Sequence, residues 1–229
     1  MGFSDHIPFK FPNGKESHYR IFEDEGMAYC DNIKRLREKY KDKIEISVGF
    51  EMEYYPQYFD LMLEKAKEYG GEYLILGQHF EVSEDTFGTH VLKETDNVDI
   101  LKHYVEAVIM GMKKKVFTYV AHPDLVNFTG HIEIYREENR KICVAARELN
   151  IPLEINFLGI RENRCYPNEI FWEMAGEEKS PITFGFDSHD VLAAYDGESL
   201  QKANELVKKY SLNYIGKPEL IPIRQLCVF

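Results

Sequence analysis

The residues of this sequence whose types and spacing could do chemistry are imidazoles and carboxylates at the ends of short apolar runs. His6 follows Asp5 after the run Met1–Ser4, Glu51 follows Ser47–Phe50, and His79 follows Gln78 after Leu74–Gly77. His122 follows Thr118–Ala121, Asn156 follows Leu153–Ile155, and Asp187-Ser188-His189 follows Thr183–Phe186. Imidazole and carboxylate are the ligands that zinc, manganese and iron share. One histidine at such a place is more often a structural group or a helix cap. Here four of the eight histidines (His6, His79, His122, His189) fall there, with Glu51 and Asp187 beside them, which suits a metal cluster. The other four read as structural or solvent-facing: His18, His103, His131 and His90, the last in a polar loop that could overhang the site.

Other chemistries find less support. Cys30, Cys143, Cys165 and Cys227 lie far apart without a C-x-x-C, which argues against a disulfide framework or a thiolate zinc site. There is no G-x-S-x-G, no phosphate-cradling P-loop and no Gly-rich dinucleotide fingerprint.

The elements that must position these groups alternate along the chain. Apolar runs at 44–50, 73–77, 116–121, 151–157 and 182–186 are rich in Ile, Val, Tyr and Phe and predict buried strands. Amphipathic stretches at 17–40, 57–69, 98–114, 132–149, 167–177 and 198–210 predict helices. Gly70-Gly71 and Asn150 follow two of them as stop signals. Strand–helix alternation repeated this often implies a parallel sheet under covering helices, either open or closed into a barrel. In a barrel all strand ends converge on one face, where barrel enzymes place their chemistry, whereas an open sheet gathers only those at its switch point. A polar ligand-type residue after every run therefore favours the barrel.

The 229 residues carry 28 basic and 39 acidic side chains, a formal charge of −11, with 44% hydrophobic residues. That fills one domain, expected to span residues 1–229, and gives no sign of disorder. The acidic balance argues against nucleic acid or an anionic membrane surface as partner. No apolar run approaches the ~20 residues that span a bilayer, and the start MGFSDHIPFK is not a signal peptide. A cytoplasmic globular protein is expected.

Taken together, Phe3-Ser4-Asp5-His6 with Pro8, Gly49-Phe50-Glu51, Gly77-Gln78-His79-Phe80, Ala121-His122-Pro123-Asp124 and Asp187-Ser188-His189 resemble successive motifs of the PHP (polymerase and histidinol phosphatase) superfamily. Glu154-Ile155-Asn156, Gly159-x-Arg161 and Tyr166-Pro167 resemble its histidinol-phosphate phosphatase branch. The resemblance implies an α/β fold, a distorted (β/α)7 barrel with a cluster of two or three divalent ions (zinc, manganese or iron). It also implies a hydrolase of phosphate monoesters, here L-histidinol phosphate, in histidine biosynthesis. Carried onto this chain, it makes Glu51 a bridge between two ions and His79 and His122 the completion of the second site. His6 and His189 would serve the third and Asp187 the first, with Asp187 and His189 counted among the catalytic groups. Arg161 and Asn156 would face the substrate, Arg161 as a bidentate clamp on its phosphate. The competing readings are a PHP phosphoesterase of another phosphorylated metabolite or a nucleotide, and a non-catalytic metal-binding or regulatory remnant.

One departure stands out. The family opens with a strand ending in a His-x-His pair, an acidic ligand and a helix; here Met1 stands where the second strand begins. The expectation is a barrel without its first strand and helix, about 30 residues short. The first metal would keep only Glu51 and Asp187, while the second keeps a two-histidine, one-carboxylate set. An exposed edge of this kind makes strand exchange or a homodimer a way to cover it.

Overall fold

Seven parallel strands, hydrogen-bonded in sequence order, form the sheet of the computed structural model, which describes residues 1–225. The order of elements is β1 (Gly2–His6), α1 (Gly26–Tyr40), β2 (Ser47–Met52), α2 (Phe59–Tyr69), β3 (Tyr73–Leu76), α3 (Val98–Lys113), β4 (Phe117–Val120) and α4 (Ile132–Leu149). It continues with β5 (Leu153–Asn156), α5 (Phe157–Arg161), α6 (Glu169–Glu177), β6 (Pro181–Gly185), α7 (Gly197–Lys209) and β7 (Asn213–Tyr214). Neighbours in space are neighbours in sequence, so every connection is a strand–helix–strand crossover. Among the described residues β1 and β7 are the two edges and do not pair with each other.

Burial follows from residue type. Val48, Phe50 and Met52 alternate along β2 and are sealed from solvent, with Phe50 packed on Tyr29 of α1 and Tyr69 of α2. Leu74, Leu76, Phe117 and Val120 join the same large core between sheet and helices. Tyr73, Ile75 and Ala121, with Tyr119 and Leu220, make a smaller cluster on the opposite face, as the two-residue period of a strand requires. Polar caps set where helices begin. Asn97 accepts from Asp99 N, Asn168 from Ile170 N and Phe171 N, and Asp196 from Ser199 N. Gly70 (φ 89°) and Asn150 (φ 52°) end α2 and α4 in the left-handed conformation, where the sequence placed their stop signals.

Several elements differ from expectation. The helix predicted over 17–40 begins only at Gly26. A 3-10 turn (Glu23–Glu25) leads into it, and the residues before that form a loop with Ser17 and Arg20 buried, so His18 lies exposed in that loop rather than opening a helix. The helix predicted over 167–177 starts at Glu169, behind its cap Asn168. β7 has two residues, too short for a hydrophobic pattern, and was not anticipated. Cys30 and Cys143 are buried thiols in α1 and α4, and Cys165 lies half-buried between α5 and α6. Cys227 lies outside the described residues.

Candidate metal centre

Glu51 sits at the centre of the polar strand ends. It belongs to β2, whose alternation turns Val48, Phe50 and Met52 toward the helices and therefore Gly49 and Glu51 to the other face. Space for its carboxylate comes from the neighbouring strand end: a Cβ on Gly77 would overlap Glu51 Oε1. Around this carboxylate stand three imidazoles. His122 Nε2 lies 3.0 Å and His79 Nε2 3.5 Å from Glu51 Oε1. The His6 ring packs 4.8 Å from that of His79, and His79 4.9 Å from His122. His6 ends β1 and His122 follows β4, three strands away, so the sheet curls until these ends meet. In a flat sheet with strands ~4.8 Å apart the two strand ends would stand ~14 Å from each other.

Burial alone would raise the pKa of Glu51; the fields of His6 and His79 and the bond from His122 outweigh it and hold the carboxyl down at about 2. It is therefore ionised, the state a metal ligand needs. For His122, burial lowers the pKa, and the hydrogen bond and charge of Glu51 raise it to about 9. The backbone carries strain at the same place: His122 (φ 31°) and Asp187 (φ 43°), each just past its strand, are in the left-handed region.

These groups fit a divalent cation. Two sets of three place their ligand atoms within 4.8 Å of one another: Glu51 with His79 and His122, and His6 with Glu53 and His79. His6 Nδ1 and His122 Nδ1 are buried without a hydrogen-bond partner among the described residues. Imidazoles turned on a carboxylate with unmatched nitrogens are a donor set short of a cation.

Not every expected residue joins. Asp187 and His189 lie outside both sets. His189 Nδ1 is 3.4 Å from Asp187 Oδ1 with its side chain 66% exposed. Asp187 is bound to Asn156, whose Nδ2 donates to Asp187 Oδ2 and to Glu154 Oε2, 2.9 Å each. Arg161, at the end of α5, donates to Asp196 Oδ2 at 3.0 Å and to the Asp187 carbonyl at 3.2 Å. His90 comes beside the cluster, its ring 6.0 Å from His79 and packed on Phe80 and Tyr19. His103 and His131 are exposed.

Three buried charged groups were not assigned to the site from the sequence, Glu154 among them although it belongs to the Glu154-Ile155-Asn156 motif. Glu53 accepts from His79 Nδ1 at 2.9 Å, and a signal for it existed: it follows Glu51 by two residues, the period that keeps side chains on one face. Glu154, in the interior beside Asn156, accepts from His122 N at 3.0 Å, in space left by Gly185. Burial pushes its carboxyl up to about 7. Arg20 binds Glu53 and had no local signal at all.

No known protein-family profile matches the chain. The histidinol-phosphatase of Lactococcus lactis subsp. lactis (strain IL1403) is 26% identical over 225 aligned positions, covering 90% of this chain and 78% of that protein. The crystal structure of histidinol phosphate phosphatase from L. lactis subsp. lactis Il1403, complexed with zinc, L-histidinol and phosphate, superposes with a TM-score of 0.64 at 22% identity. That match covers 93% of this chain and 82% of the other. In sequence and in fold the chain is similar to histidinol phosphatases. A Listeria monocytogenes structure assigned as a histidinol phosphatase shares the fold as well, with a TM-score of 0.68 at 19% identity and 87% of each chain covered. Among the described residues no helix is long and apolar enough to cross a membrane.

Proposed function

We propose that the chain is a metal-dependent phosphomonoesterase that hydrolyses L-histidinol phosphate to L-histidinol and phosphate, as its L. lactis relative's name implies. The observation that carries the reading is the convergence of Glu51, His79 and His122 at 3.0–3.5 Å on curled strand ends, in a chain similar to histidinol phosphatases throughout. Glu51, His79 and His122 would hold one ion, with Glu51 shared with a second. His6, with Asp187 and His189 from just past the end of β6, would be the further ligands of a cluster of two or three ions, zinc, manganese or iron. Divalent cations, when bound, neutralise phosphoryl charge and lower the pKa of water.

The chain's own groups do the rest. Arg161 offers a planar fork to the phosphate in place of its present bond to Asp196, 3.0 Å away. Asn156 fixes Asp187 from one side, and the Arg161 bond to the Asp187 carbonyl fixes it from the other. In the overall reaction the phosphorus–oxygen bond to the alcohol breaks, water's oxygen bonds to phosphorus, and one proton passes to the departing alkoxide. Release of inorganic phosphate from histidinol phosphate by the metal-loaded chain tests the reading; no release under metal saturation overturns it.

A further inference from the structure

Two glutamates at the end of β2 compete for the same histidine. His79 presents Nε2 to Glu51 Oε1 at 3.5 Å and Nδ1 to Glu53 Oε1 at 2.9 Å. If the Nδ1 hydrogen is donated to Glu53, Nε2 is left with the lone pair a cation requires. If Glu53 were itself a ligand, together with His6, that arrangement would be lost. Proximity alone leaves both sets of three available.

Arg20 separates them. It lies in the loop between β1 and α1 with its side chain 1% exposed. Its Nη2 donates to Glu53 Oε2 at 2.5 Å, its Nε to Glu84 Oε1 at 2.6 Å and its Nη1 to the carbonyl of Ile7 at 3.3 Å. Both Glu53 oxygens are thus taken, one by Arg20 and one by His79. A cation at Oε1 would have to take that oxygen from His79 Nδ1, and one at Oε2 would have to share it with a guanidinium that cannot yield by losing its proton, so Arg20 holds the carboxylate turned with Oε1 toward His79. Glu84, from the segment after β3, holds the Nε–Nη2 edge of the same guanidinium, which fixes its position against Glu53.

We propose that Arg20 is a positioning residue that decides which glutamate binds metal. It keeps Glu53 as the hydrogen-bond acceptor for His79 Nδ1 and so leaves Glu51, His79 Nε2 and His122 as the ligand set. The proposal rests on the metal-binding part of the preceding reading and is independent of the substrate.

Cobalt(II), whose visible absorption reports coordination number and ligands, tests it by titration into the metal-stripped chain. The parent should bind its first equivalent with defined visible bands. Glu53→Gln, whose amide oxygen still accepts from His79, should keep the band shape and lose about 10–100-fold in affinity, the usual effect of altering a group behind a ligand. Arg20→Met should change the bands as the freed carboxylate enters the coordination sphere, and adding Glu53→Gln should restore the parent shape. A lower melting temperature with unchanged bands in Arg20→Met would make Arg20 a structural brace and overturn the proposal. If Arg20→Met does not fold, Glu53→Gln decides alone: unchanged bands support the proposal, and altered bands make Glu53 a ligand and overturn it. No cobalt binding by the parent would instead bring down the metal reading itself, and the proposal with it.

Discussion

Glu51 Oε1 and His122 Nε2 lie 3.0 Å apart although β2, which carries Glu51, and β4, which His122 follows, are separated by β3. The curl of the sheet spans that separation, and Gly77 on the intervening strand end leaves room for the carboxylate. Both groups are buried, and the Glu51 carboxyl is held ionised beside the His122 ring.

Loss of the Glu51 carboxylate should therefore empty the centre. Glu51→Gln should lower bound metal further than His6→Ala or His79→Ala, because in the proposed cluster Glu51 would be shared between two ions. Elemental analysis of the purified variants checks this. Full occupancy in Glu51→Gln would remove its bridging role.

Gly77→Ala should act at a distance of one strand. No positive φ is needed at this position, so the backbone accepts alanine, but the new methyl group occupies the Glu51 carboxylate's place. The expected outcome is a tenfold or greater loss of zinc affinity, since even groups behind a ligand cost that much. The far-UV circular dichroism should not change.

Asp124 ties the loop carrying His122 to the start of α6. Its Oδ2 accepts from Asn168 N at 2.6 Å and from Trp172 Nε1 at 2.9 Å. Asp124→Ala strands two buried donors and should cost about 2 kcal/mol or more. For a chain of this size that is roughly 4–8 °C in melting temperature. Thermal unfolding measures it, and a loss below one degree would mean that water satisfies both donors.

Arg161→Ala should weaken phosphate-ester hydrolysis without changing metal content. A charge-assisted fork contributes on the order of 1.5–3 kcal/mol, roughly ten- to a hundredfold in rate. Steady-state kinetics beside elemental analysis separates the two effects, and unchanged kinetics would return Arg161 to its structural bond with Asp196.

Much of this was legible in the sequence because parallel strands buried on both faces read as apolar runs that stop abruptly. The polar residue after each run is what the curled sheet gathers, as with His79 and His122. What lay beyond reach depends on partners distant in the chain. Arg20 meets Glu53 and Glu84 at separations of 33 and 64 residues, and nothing in its loop announces those contacts. Its burial also fits the late start of the first helix, since a segment held by Arg20 against Ile7, Glu53 and Glu84 does not continue α1 backward. Glu53 was readable from its two-residue spacing to Glu51, but an acidic residue after a strand carries no sign of burial.

The central claim is tested most directly by phosphate release from L-histidinol phosphate, followed with the metal-stripped chain, the chain reloaded with zinc or manganese, and Glu51→Gln treated in the same way. The account predicts turnover in the reloaded parent alone. Equal turnover in the stripped chain, or in Glu51→Gln, would contradict it.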